Sequence, residues 1–222
     1  MNEIRESEDF ARTGLFLSTG GILYPSLYRD GRTASTSFRR MADIQVVLTG
    51  DVDQTSITRL MHEVTDRVGK GARSLLLAMS TPGGQVYWGV TAYGFLRGLG
   101  IDVITHNIGQ VDSIGGPIYL SGDHRLSISQ GRFLIHSIYW GFGAGTSLSE
   151  KQLADTLDSV VRDRERVATI LSERTGTDLT TVTDNMRDTR ILDAAEGQAY
   201  GFVHEIADDV FDPAQEIVTI GP

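Results

Sequence analysis

A mixed α/β fold built on a parallel sheet is what this sequence predicts. Two observations predict it: apolar runs of strand length that do not alternate with polar residues, and amphipathic helical stretches that separate them. Residues 44–48 form the first run, followed by Gly50-Asp51. Residues 56–68 then place Ile57, Leu60, Met61 and Val64 on one helical face. Residues 75–79 repeat the apolar run. Pro82-Gly83-Gly84 breaks it, and Val86, Val90, Tyr93 and Leu96 are spaced for a second helix. A third strand is predicted over 101–108. Strand-helix units in this order imply right-handed crossovers, with helices on both faces of the sheet.

Downstream of Ser113 the pattern predicts a short helix, strands at 126–128 and 133–135, and a glycine-rich segment at 140–145. A long helix follows. Ser147 and Glu150 read as its capping box, Leu153, Leu157, Val160, Val161, Val167, Ile170 and Leu171 as its stripe, and Gly176 as its stop. Asp178 can cap a helix reaching about Met186. Ile191-Leu192 reads as a short strand, 194–199 as a helix and 202–206 as the last strand. Residues 1–40 show no sustained period and read as an N-terminal extension. Residues 41–210 read as one domain and residues 211–222 as a C-terminal tail.

Composition narrows the function. Hydrophobic residues make up 40% and charged residues 22%, values typical of chains that fold. The net charge of −9, from 20 basic and 29 acidic side chains, argues against a nucleic-acid binder, which needs clustered Lys and Arg. With no cysteine, disulfides and thiolate chemistry are excluded. Glu3, Glu6 and Glu8 do not suit a secretory signal, and the apolar stretches fall short of the ~20 residues a membrane helix needs. A soluble, cytoplasmic protein is expected, with no membrane partner.

No phosphate-binding loop and no H-E-x-x-H helix occurs. Gly141-Phe-Gly143-Ala-Gly145 lacks the spacing of a dinucleotide loop, and His62, His106, His124, His136 and His204 lack metal-ligand spacing. No metal or cofactor is expected. Ser113 does not sit in a G-x-S-x-G elbow, because Val111 takes the place of the first glycine. It falls instead where a strand ends and a helix begins among small residues, a place where outward-pointing amides and the helix dipole favour developing negative charge. The plainer reading makes Asp112 or Ser113 an N-cap, His136 a packed strand-end histidine and Gly83-Gly84 a simple turn.

Taken together and in order, these pieces resemble the ClpP peptidase family. Residues 44–50 look like that family's opening strand. Ser80-Thr-Pro-Gly-Gly84 looks like its S-P-G-G turn with a threonine substituted into the pattern. Gly109-Gln-Val-Asp-Ser113-Ile-Gly resembles its G-Q-A-A-S-M-G, and Phe133-Leu-Ile-His136 is similar to its M-I-H. Arg190-Ile-Leu-Asp-Ala-Ala-Glu196 and Tyr200-Gly-Phe-Val203 resemble R-F-L-S-A-P-E and Y-G-L-V.

The resemblance implies a crotonase-like fold of repeated β-β-α type units with a projecting handle over about 137–175. It also implies a serine endopeptidase with Ser113 as nucleophile, His136 as base, and the amides of Gly84 and Ile114 as oxyanion hole. It further implies self-assembly into rings, stacked in pairs around a chamber, that receive unfolded polypeptide from an AAA+ ATPase. One departure stands out: the family's catalytic aspartate falls on Thr189, and the nearest carboxylate is Asp188. Asp188, brought in by a local bulge on an extended segment, is the expected third member. Thr189 is the alternative, orienting the ring by accepting a hydrogen bond. Asp184 and Asp193 lie farther from the matched position. The rivals are a noncatalytic ring subunit and a crotonase-fold enzyme acting on acyl-CoA.

Overall fold

The structure is a computed structural model that describes residues 42–209 and 211–222. The expectation for residues 1–40 lies outside the described residues. Strands β1 (Ile44–Thr49), β2 (Ser74–Thr81) and β3 (Asp102–Asp112) pair in parallel through helices α1 (Gln54–Gly69) and α2 (Val86–Gly98). There follow α3 (Gly115–Leu120), β4 (His124–Ser127), β5 (Arg132–Ile135), α4 (Glu150–Thr175), α5 (Leu179–Asp188) and β6 (Arg190–Asp193). The chain ends with α6 (Ala194–Tyr200), β7 (Glu205–Ile206) and β8 (Ile217–Ile220). The sheet runs β6-β5-β3-β2-β1-β8, with β4 also on β3 and β7 on β4. Every pairing is parallel except β5 with β6.

The core takes every second residue of the central strands: Ile44, Val46 and Leu48 from β1, and Leu75, Leu77 and Met79 from β2. Ile57, Leu60 and Val64 of α1 and Ala92 and Leu96 of α2 join the same cluster. Both crossover helices therefore cover one face, which corrects the expectation of helices on both. Apolar runs without alternation misled here because Leu76, Ala78 and Ile104 are also buried, outside that cluster. On β1, Gln45 is buried and pins the chain after β7 through a reciprocal pair with the Asp212 backbone, at 3.1 and 2.9 Å.

Three boundaries differ from the sequence reading. The helix α4 is capped by Ser149 with Gln152, not by Ser147 with Glu150: two overlapping copies of the same pattern compete, and the one nearer the apolar stripe closes. β3 continues past residue 108 to Asp112. The segment expected as a tail adds β8 beside β1, pairing Val46 with Val218, while Phe202 and Val203 leave the last strand for the core. Helix α4 buries Val167, Ala168 and Leu171 in its C-terminal part and leaves Leu153 and Leu157 exposed. Among the described residues no helix is long and apolar enough to cross a membrane.

Buried guanidinium groups tie helix ends together. Arg125 donates to the carbonyls of Phe202, Gly201, Gly122 and Arg174 at 2.7 to 3.3 Å, and Arg174 donates to those of Leu120 and Gly122. These carbonyls lie at the C-terminal ends of α3, α4 and α6, where the helix dipole favours a cation. Burial, with Arg174 nearby, lowers Arg125 to about 10, so it stays charged at neutral pH. Arg125→Met strands several buried carbonyls and should lose about 3 kcal/mol, read from urea denaturation.

The neighbouring His204 accepts from the Arg125 amide at 3.2 Å, and burial, reinforced by Arg125, pushes it down from 6.5 to about 4. The unfolded chain then takes up a proton that the folded chain refuses. The stability tied to neutral His204 is full above about pH 6.5 and declines as pH falls through about 4. His204→Asn should flatten the fall in urea midpoint across that window.

Candidate active site

Ser113 occupies the turn between β3 and α3 with φ 57, in the left-handed region that non-glycine residues rarely enter. The turn is held from two sides. The Ser113 amide donates to the Leu134 carbonyl of β5 at 2.8 Å, and the Gly116 amide donates to the Ser113 carbonyl at 3.0 Å. Facing Ser113 across the turn after β2 is Gly83, at φ +95; a Cβ there would lie 2.6 Å from Ser113 Cβ and 3.2 Å from its Oγ. Thr81, the residue substituted into the turn pattern, is fully buried. It accepts from the Gly83 amide at 3.0 Å and donates to the Gly50 carbonyl at 2.7 Å.

Gly84 follows at φ +152, where a Cβ would meet the Val52 carbonyl oxygen at 2.3 Å. The hydrogen bonds that stitch this turn run from Val52 N to Gly83 O and from Gln85 N to Val52 O, both 2.8 Å. They do not use the Gly84 amide. Ile114 is the N-cap residue of α3 and its side chain is buried.

His136 lies just beyond the end of β5. Parallel pairing of Gln110, Val111 and Asp112 with Arg132, Phe133 and Leu134 sets it beside the end of β3. Ser113 and His136 line one small cavity, together with Ile114, Leu134, Val167 and Met186. His136 Nδ1 is 2.6 Å from the Ser137 carbonyl oxygen. A carbonyl only accepts, so the contact puts the proton on Nδ1 and leaves Nε2 as the basic nitrogen. The Tyr139 ring stacks on the imidazole, with centroids 5.2 Å apart and planes at 27°.

No carboxylate contacts His136 among the described residues. Asp188 is exposed and accepts from Arg187 Nε at 3.1 Å, and Asp184 also pairs with Arg187 at 3.0 Å. The expectation of an extended segment with a bulge is corrected: Asp188 ends α5, and Thr189, at φ 61, is its C-cap. A helical last residue carries its side chain around the helix face, here toward Arg187. Asp193 caps α6 by accepting from the Glu196 amide at 2.8 Å. No hydrogen bond joins Thr189 to His136.

Sequence reasoning missed Asp112. Its side chain is 6% exposed and forms an ion pair with Arg132 of β5, while its Oδ1 has no hydrogen-bond partner. The paired register of β3 and β5 makes this pair, and no short-range pattern reports it. Tyr139 was also missed, although an aromatic three residues past a candidate base was a visible signal.

The parallel α/β sheet thus presents a serine at positive φ and a histidine at adjacent strand ends, lining one cavity. A profile of the Clp protease family matches residues 29–210, and the chain belongs to that family. It is 29% identical to ATP-dependent Clp protease proteolytic subunit 3 of Rhodococcus jostii, over 81% of this chain and 86% of that one. It is 30% identical to proteolytic subunit 3 of Streptomyces coelicolor, over 82% and 87%. The fold matches a mutant ClpP1 from Listeria monocytogenes with a TM-score of 0.67 at 21% identity, covering 79% of this chain and 96% of that one.

Gly83→Ala forces a side chain against Ser113 at a positive φ. It should lower stability by about 1–3 kcal/mol, read as a lower thermal midpoint.

Proposed function

We propose that this chain is a serine endopeptidase that cleaves unfolded polypeptide through an acyl-enzyme. The observation that carries the reading is the shared cavity of Ser113 and His136, with Nδ1 engaged by a carbonyl so that Nε2 is the available base. His136 Nε2 removes the Ser113 proton as Oγ attacks the peptide carbonyl. The C–N bond then breaks, and the imidazolium returns that proton to the leaving amine. Water repeats the sequence and frees the acid. The Gly84 and Ile114 amides hold the oxyanion. The Gly84 amide supports this role, because the hydrogen bonds that stitch its turn leave it unused.

Assembly into a ring accords with the exposed Leu153 and Leu157 on α4, which a second copy would cover. Relatives named as ATP-dependent Clp protease subunits support an AAA+ partner that delivers substrate. Asp188 acts as third member only if it leaves Arg187 and turns inward. The lack of a carboxylate at His136 favours a second reading, a noncatalytic ring subunit.

A fluorophosphonate probe decides between them. Covalent labelling that disappears in Ser113→Ala, and falls at least a hundredfold in His136→Ala, is the expected result for a peptidase. An assembled but unlabelled wild type establishes the scaffold reading.

A further inference from the structure

We infer that Tyr139 is a positioning residue for His136, and that with the Ser137 carbonyl it takes over the part a triad carboxylate would play. The inference rests on the reading of Ser113 and His136 as nucleophile and base. Acyl transfer places a proton on the imidazole, so a working base needs two things from its surroundings. One is an acceptor that fixes the ring and its tautomer; the other is a group that favours the positive charge once it forms.

The acceptor is the Ser137 carbonyl oxygen, 2.6 Å from Nδ1. It is itself anchored, because Ser137 Oγ donates to the Met186 carbonyl near the end of α5 at 3.0 Å. The charge-favouring group is the Tyr139 ring. Its face carries the negative part of the aromatic quadrupole, and a cation is attracted within about 6 Å of the centroid. The imidazole stacks at 5.2 Å and 27°, within that reach.

Among the described residues no charged group meets the ring. The other cavity-lining residues, among them Ile114, Leu134, Ile138 and Val167, carry no charge. Asp112 pairs through one oxygen with Arg132, Asp184 and Asp188 pair with Arg187, and none of the three bonds to His136. The ring face alone supplies this attraction, without the phenol hydroxyl.

Tyr139 is 76% exposed, so its replacement leaves folding undisturbed. The test measures fluorophosphonate labelling of Ser113 against probe concentration, which separates the maximal labelling rate from probe affinity. Tyr139→Leu should lower the maximal rate about threefold to fivefold with affinity unchanged, the scale of an exposed cation–π contact. Tyr139→Phe should label at the wild-type rate. Three results would overturn the inference: Leu as fast as wild type, Phe as slow as Leu, or a loss confined to probe affinity, which would make Tyr139 a substrate contact. Failure of the wild type to label at all strikes the peptidase reading and carries this inference down with it, so the two failures are distinguishable.

Discussion

One edge of β3 serves two successive partners. Residues Ile104 to Asn107 pair with β4, and Gln110 to Asp112 pair with β5. Where the edge passes from one partner to the other, the regular ladder is interrupted, and buried backbone groups there need other partners. Asn107 provides them: its Nδ2 donates to the Arg132 carbonyl at 2.9 Å, and its Oδ1 accepts from the Gly109 amide at 3.0 Å. The side chain is wholly buried, so its dipole acts where water does not compete. The candidate site depends on this handover, because β5, and not β4, leads directly into His136.

Past the handover, a short stretch of register fixes the geometry of the serine and histidine. The Asp112–Arg132 ion pair and the bond from Ser113 N to Leu134 O tie the same two strands at their ends. These contacts hold Ser113 at a positive φ, a conformation that costs roughly 1–3 kcal/mol and persists only where its surroundings over-determine it. The turn at Gly83 closes from the β2 side. Serine strain and glycine clearance are thus two aspects of one close approach: a bulkier residue at 83 or a relaxed turn at 113 would separate the segments.

The alternation of runs and helices was legible because each strand of β1 to β3 is long enough to show its composition, and the cap expected at Asp178 closes, whereas Asp53, the N-cap of α1, was not read. The order Gly83-Gly84, Ser113, His136 was readable as a resemblance. What was not legible depends on pairing partners. β8 is a four-residue apolar run whose meaning comes only from lying beside β1. The Asp112–Arg132 pair exists only once β3 and β5 are in register. The fate of Asp188 turned on whether its segment was strand or helix, and α5 runs two residues past the expected end at Met186 to take it in.

The same helix reaches His136 through the backbone. Val182 and Met186 bury α5 in the core, so the Met186 carbonyl is a fixed point, and Ser137 Oγ bonds to it. The Ser137 carbonyl in turn meets His136 Nδ1. Helix α5 thus orients the histidine through a chain of dipoles, while its own carboxylates at 184 and 188 neutralise Arg187 at the surface. A dipole holds a ring in place nearly as well as a charge does. It would give less to an imidazolium formed in an apolar cavity, because a full negative charge stabilises a cation far more at low dielectric than a carbonyl can. For the proposed acyl transfer, the arrangement therefore supplies the geometry and leaves the electrostatic demand to be met from the aromatic side of the ring.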